Sequence, residues 1–304
     1  AVGLMFFNGW TGHVLWTMSW LWSLNMYFQS FGALSVVKVN STWFHVRERG
    51  IFGGIFGIMI SSGYFLATTV GSVLLARFAN WNVIWFVPAA AMAAMFLVDL
   101  ALVRNRPSHA GHADFDTGDG SNAHQAEDAP LPLKELLVKV FSNPVIVFLI
   151  VAEFCTGFVR QGVMLYFTEC LAEVYHLPKT EPLFWWTGVA FMLGGIGGGL
   201  LCGWMSDTLF QSRRPPVAFV FYLVQVVMLS LLGLSLGQGT RLGQVWAVAL
   251  LGLTAMFIFG VHGMLSGTAS MDFGGRKAAA TVAGALDGVQ YIGSGLTGFG
   301  LGWV

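Results

Sequence analysis

Charge is what this sequence has least of. Asp, Glu, Lys and Arg make up 10% of its 304 residues, and hydrophobic residues reach 56%. A soluble domain carries about a quarter charged residues. With a mean hydropathy of +0.70, the composition excludes an ordinary water-soluble fold and points to an all-α polytopic membrane protein. An excess of either charge sign is also missing, since 15 basic residues face 15 acidic ones. There is no basic field to hold a phosphate backbone, so nucleic acid is not an expected partner. Cysteine is scarce. Cys155, Cys170 and Cys202 each lie in an apolar run without metal-ligand spacing, which excludes a disulfide framework and a zinc site. No Walker motif, nucleophile elbow or paired metal motif occurs, so the reading contains no enzyme site, no ATP engine and no cofactor.

What the chain does have is long apolar runs. A spanning helix needs roughly 20 mostly apolar residues. Such runs fall at 14–43, 51–76, 82–103, 144–174, 183–206, 216–236, 245–270 and 278–304, with Ala1 to Phe7 as the tail of another. One segment stands apart. Residues 104–142 are polar and rich in Gly, Pro and Asp, which predicts a disordered linker. Its last part, Leu133 to Phe141, has apolar residues at helical spacing and predicts a short surface helix. The linker divides the chain into three parts, 1–103, 104–142 and 143–304.

Orientation follows from the loops. If 44–50, 104–142, 207–215 and 271–277 share a side, that side holds Arg47, Arg49, Arg104, Arg106, Lys134, Lys139, Arg213, Arg214, Arg276 and Lys277. The other side has Arg77, Lys179 and Arg241. The positive-inside rule places the first group in the cytoplasm. Glycine clusters within spans, at Gly194, Gly195, Gly197, Gly198, Gly199 and Gly203 and again from Gly284 to Gly302. Small residues on such faces let helices approach closely in lipid.

Five segments carry a family resemblance. FQSFG at Phe28 to Gly32 and WFHVRERG at Trp43 to Gly50 resemble the fourth span and following loop of the organophosphate:phosphate antiporters, within the major facilitator superfamily. FVRQG at Phe158 to Gly162 resembles their seventh-span segment, LLCGWMSD at Leu200 to Asp207 the end of their eighth span, and RKAAATVAG at Arg276 to Gly284 the start of their eleventh. The resemblance implies a major facilitator fold running from the end of span three into span eleven, with spans one, two and twelve outside the chain. It implies a multi-pass protein of the bacterial inner membrane that exchanges small organic anions, such as phosphate esters, for phosphate. GWMSD followed by Arg213 and Arg214 also resembles the superfamily's loop motif and implies a gate. On physical grounds Asp207 would accept from the amides at a helix start while both arginines sit at the anionic lipid surface.

Arg160 is the sharpest single residue. It lies near the middle of the 144–174 run, where burial of a charge costs about 2.5–3.5 kcal/mol, so it must face a cavity or a partner. Its guanidinium is a rigid fork of donors for phosphate or carboxylate oxygens, and the resemblance assigns it to substrate. Permanent pairing with a neighbouring carboxylate is the structural alternative. Glu153 lies two turns away, about 10 Å along the helix and too far for a direct salt bridge; it would bind a proton or a second cation, or brace two helices. Asp287 and Tyr291 are four apart on one helix face with Gly284 and Ser294. Tyr291 matches a family tyrosine near the substrate, and Asp287 falls where those relatives have a small residue. Gln29, with Asn25 four residues before it, forms a polar stripe that lines the pore or bonds between helices. Lys38 reads as a snorkelling lysine, and His262 as a hydrogen-bonded or cavity-facing histidine.

The chain departs from the family at Ile60, where a histidine is expected, and at Met192, where a carboxylate is expected. In the linker, His109, His112 and His124 accompany Asp114, Asp116 and Asp119, but the calcium-loop template fails, with Asp119 at position six and Gln125 at position twelve. The expected function is secondary transport of a small anion, with a coupling ion or phosphate as the second partner and the lipid bilayer as solvent. A proton-coupled carboxylate symporter and a membrane sensor that binds a phosphate ester are the alternatives. The charge split carries a test of orientation. A cysteine placed within 110–125 should react with an impermeant reagent only after the cells are opened, and labelling of intact cells would reverse the topology.

Overall fold

A computed structural model describes residues 14–78, 80, 82–118, 132–178, 181–234 and 239–301 of the protein. The regular structure among these residues is helical. The helices are α1 (Val14–Trp43), α2 (Arg49–Phe65), α3 (Gly71–Phe78), α4 (Val83–Leu102), α5 (Leu133–Ser142), α6 (Pro144–Glu169), α7 (Pro182–Trp204), α8 (Arg214–Leu234), α9 (Arg241–His262) and α10 (Ser270–Leu301). Wider π-helical turns join α2 to α3 (Leu66–Val70) and α9 to α10 (Gly263–Ala269), and extend the ends of α6 (Cys170–Val174) and α7 (Met205–Leu209).

Local chemistry sets several boundaries. Asn143 accepts from the Val145 amide at 3.0 Å with Pro144 behind it, which starts α6. Thr240 accepts from the Gly243 amide at 3.1 Å and starts α9. Five segments are long and apolar enough to cross a membrane: Val83–Leu102, Pro144–Val174, Pro182–Leu209, Arg214–Leu234 and Arg241–Phe273. The runs expected at 14–43, 51–76 and 278–304 are helical over their described lengths. The remnant expected at Ala1 to Phe7 lies outside the described residues.

Helical hydrogen bonding continues from Arg241 to Leu301, where a loop is expected at 271–277. Yet Ser266 bonds to Asp287 and His262 to Gln290. A straight helix would separate those pairs by about 30 and 40 Å at 1.5 Å per residue. The chain therefore folds back on itself between Ser266 and Asp287, and α10 returns antiparallel to α9. The expected reversal is present, in helical rather than loop backbone. The side chains of Arg276 and Lys277, and Lys179 as a whole, lie outside the described residues.

Packing follows small residues. A Cβ on Gly198 would sit 1.8 Å from the Met256 carbonyl, and one on Gly157 would sit 2.1 Å from that of Gln290. These glycines bring α7 against α9 and α6 against α10 at backbone distance. In lipid, helix association depends on such fit more than on apolar burial. Phe221 of α8 and Leu286 of α10 are buried in one apolar cluster, and Phe191 of α7 and Phe259 of α9 in another. Outward faces carry Phe96, Leu97, Leu100, Phe148 and Leu223, and α4 has no buried residue, as lipid-facing surfaces require.

The linker differs from expectation. Its first part is folded onto the end of α1: Thr42 donates to the Asn105 carbonyl at 2.7 Å, Trp43 to that of Arg104 at 3.0 Å, and the Val46 amide to Thr117 at 2.9 Å. Polar composition concealed this, because backbone carbonyls do the accepting. Asp114 caps Ser108 and Asp116 caps Gly118, while Asp119 and His124 lie outside the described residues. The short helix expected at Leu133 to Phe141 is α5.

The close approaches predict an asymmetry among glycines. Gly198→Ala should overpack the α7–α9 contact by about 1–3 kcal/mol and lower the melting temperature in detergent. Gly288→Ala, with nothing within 4 Å of its Cβ position, should be neutral or slightly stabilising. Equal melting temperatures for the two variants would refute the packing scheme.

Candidate functional site

The site grows from α6. Gly157 admits the backbone of α10, and Ser294 and Thr297 then donate to the Gly157 and Phe158 carbonyls at 3.1 and 2.9 Å. This clamp sets Gln290 of α10 beside Arg160 of α6. Arg160 Nη2 donates to Gln290 Oε1 at 3.3 Å, and Gln290 Nε2 lies 3.0 Å from His262 Nδ1 on α9. The same Nδ1 is 3.5 Å from Glu153 Oε2. Three helices thus meet in one chain of polar contacts, Arg160–Gln290–His262–Glu153. Glu153 and Gln290 are fully enclosed, His262 is 6% and Arg160 8% exposed.

Two features distinguish this cluster. Arg160 has no carboxylate at ion-pair distance among the described residues, and its Nε has no hydrogen-bond partner there. Both Glu153 oxygens likewise lack a donor. Buried polar groups are normally satisfied; among the described residues the Arg160 fork has one neutral amide as hydrogen-bond partner, which leaves donors that an oxyanion could use. Thr156 and Tyr222 of α8 share a 2.6 Å contact one turn from Glu153. Asp287 of α10 accepts from the Ser266 hydroxyl at the turn below.

The expected site residues divide. Arg160, Glu153 and Asp287 come together around His262 and Gln290. Glu153 makes no ion pair with Arg160, as the two-turn separation predicts, and faces His262 instead. Tyr291 is 49% exposed, next to Gln290 in sequence and outside this hydrogen-bonded chain. Gln29 is exposed on α1, outside this hydrogen-bonded chain. Gln290 was missed because a neutral amide in a glycine-rich run has no outstanding feature. Its place three residues after Asp287 was the available signal.

A second polar cluster lies at the helix ends. Arg214, at the start of α8, is 3% exposed and bonds to Asp207 at 2.9 Å, Asp272 at 3.0 Å and Ser206 at 2.5 Å. Asp272 also faces Arg49 of α2 at 3.6 Å, and Arg49 donates to the carbonyls of Met271 at 3.2 Å and Ser41 at 3.1 Å. Arg214 therefore does not sit at a lipid surface beside Arg213. It turns inward because two carboxylates and a hydroxyl meet its fork, while Arg213 stays exposed. Asp207 accepts from Arg214 and Ser212 rather than from helix amides. Asp272 and Arg49 complete the cluster. Arg49 lies in the quoted WFHVRERG segment, and Asp272 falls in the stretch expected to be a loop.

Comparison with known proteins agrees with this architecture. The chain is 28% identical over 279 residues to a glycerol-3-phosphate transporter of Bacillus subtilis, covering 89% of this chain and 60% of that protein. It is 28% identical over 298 residues to a probable hexose phosphate transport protein of Chlamydia muridarum (93% and 63%). It is 29% identical over 295 residues to the membrane sensor protein UhpC of Salmonella typhimurium (94% and 64%). The chain thus spans about three fifths of the length of these relatives. No solved structure matches it. The model of the Major Facilitator Superfamily matches residues 1–298, and the chain belongs to that superfamily of multi-pass membrane proteins.

Proposed function

We propose that the protein is a secondary transporter of a small organic anion, most simply a phosphate ester exchanged for phosphate. The observation that carries this reading is the buried Arg160 guanidinium, which faces a neutral amide and, among the described residues, no carboxylate. A charge so placed is tolerated where it meets a ligand of opposite sign. Relatives named for glycerol-3-phosphate and hexose phosphate transport supply the substrate class.

The proposed machine has two helix bundles, within 1–103 and 143–304, joined by the segment 104–142 on the cytoplasmic side of a bacterial inner membrane. They rock about a midplane site, alternately opening it to either side. Arg160 binds the anion, Tyr291 and Gln29 line the cavity, and Glu153 or Asp287 handles a proton or a cationic substituent. Asp207, Arg214 and Asp272 with Arg49 hold α2 to the ends of α7, α8 and α10 as a gate, and Arg213 meets the lipid headgroups. A sensor that binds the same ester without moving it is the second reading, favoured by the likeness to a protein named as a membrane sensor. Uptake into liposomes separates the two.

Two tests follow. Arg160→Lys keeps the charge but loses the planar fork. Charge-assisted hydrogen bonds are worth about 1.5–3 kcal/mol, so affinity for phosphate should fall tenfold to a hundredfold, and further in Arg160→Ala, with melting temperature preserved. Unchanged affinity with a lowered melting temperature would make Arg160 a structural brace. At the gate, Asp272→Asn removes the charge shared by Arg214 and Arg49. A cysteine at Ser41, buried beneath Arg49, should then be alkylated on the order of tenfold faster, because a loss of about 1.4 kcal/mol is a factor of ten in population. An unchanged rate would mean that the cluster does not hold this end closed.

A further inference from the structure

Hydrogen-bond direction settles the state of His262. A guanidinium can only donate, so Arg160 requires the oxygen of the Gln290 amide, as the 3.3 Å contact from Nη2 to Oε1 has it. The same amide must then present its NH2 to His262 Nδ1 at 3.0 Å. That nitrogen has to accept. With Nδ1 bearing a lone pair, His262 is a neutral imidazole with its proton on Nε2, and it cannot donate to Glu153 Oε2 only 3.5 Å away. This explains why the enclosed Glu153 carboxyl has no donor on either oxygen. One contact, from Arg160 to Gln290, keeps two potential ion-pair partners apart.

We infer that an anion bound to Arg160 is accompanied by a proton bound to His262 Nδ1, with Gln290 as the relay between them. The inference rests on the reading of Arg160 as an anion site. An anion that engages the guanidinium draws Nη2 from Gln290 Oε1 and frees the amide to turn. Its oxygen can then face His262, where it accepts rather than donates. The Nδ1 lone pair takes a proton from hydronium, whose O–H bond breaks to leave water as the new N–H bond forms, and the imidazolium meets Glu153. No other covalent bond is made or broken.

The surrounding charges favour the same outcome. Burial opposes a positive His262, as does Arg160 from α6; from α10, Asp287 supports it and Gln290 is neutral, while Glu153 of α6 lies 3.5 Å away. Tyr222 of α8 faces Glu153, and Tyr64 of α2 faces Arg160. A bound anion cancels the one opposing charge. By linkage the effect is reciprocal, so a proton on His262 strengthens anion binding. The cluster thus carries anion and proton together and ties α6 to α9 by an ion pair only when loaded.

The test is nitrogen NMR of the histidine-labelled protein in lipid nanodiscs at neutral pH, with inorganic phosphate as the probe and binding followed separately by equilibrium dialysis. His262→Gln identifies the His262 signal by its loss. Without phosphate, His262 should show an unprotonated Nδ1; saturation with phosphate should replace that signal with an imidazolium pattern. In Gln290→Leu, which lacks the amide hydrogen that occupies Nδ1, the imidazolium should appear without phosphate. Phosphate bound with His262 unchanged, or an imidazolium already present in the empty wild-type protein, would overturn the inference and leave the anion site standing. Absence of phosphate binding would remove the anion reading, and this inference with it.

Discussion

The buried guanidinium of Arg160 is the constraint around which the rest is arranged. An arginine at this depth must meet a partner, and a permanent carboxylate would satisfy it at the expense of any ligand. Among the described residues Gln290 satisfies it through one hydrogen bond of 3.3 Å, from the cationic fork to an uncharged acceptor. An oxyanion on the same fork would add opposite charge and a second, parallel hydrogen bond. Everything nearby serves that balance. Gly157 lets α10 approach, Ser294 and Thr297 fix its height, and His262 occupies the other face of the amide.

The same logic of shared partners operates at the helix ends with the opposite effect. There Asp272 lies between two arginines, and Arg214 between two aspartates. Paired charges of this kind hold well when intact and leave an uncompensated buried charge when one is lost. A weakly satisfied centre and a strongly satisfied end are what the proposed transporter requires, one place to bind and another to hold closed. The reversal of α9 into α10 connects them, since Ser266, Asp272 and Asp287 all belong to that turn-and-return segment.

Much of the fold was legible because membrane spans are long apolar runs between charged loops. The run expected at 144–174 is Pro144–Val174, and that at 183–206 is Pro182–Leu209. The site was legible only where a charge stood out. Arg160, Glu153 and Asp287 are conspicuous in apolar sequence, whereas Gln290 becomes important only through what α10 packs against. Arg214 was expected at the surface, since sequence cannot show that Asp207 and Asp272 converge on it from separate helices. The folded stretch at 105–118 was hidden for a related reason. Its anchors are backbone carbonyls, which every residue has.

The account's central claim is that Arg160 itself grips the anion. It is tested most directly by the dipolar coupling between the phosphorus of bound phosphate and isotope-labelled arginine side chains, with the protein in lipid. The prediction is a coupling that corresponds to about 4 Å, the reach of a charge-assisted N–H to oxygen bond plus one P–O bond, and that vanishes in Arg160→Lys. Bound phosphate whose coupling persists in that variant would place the anion on another arginine and contradict the account.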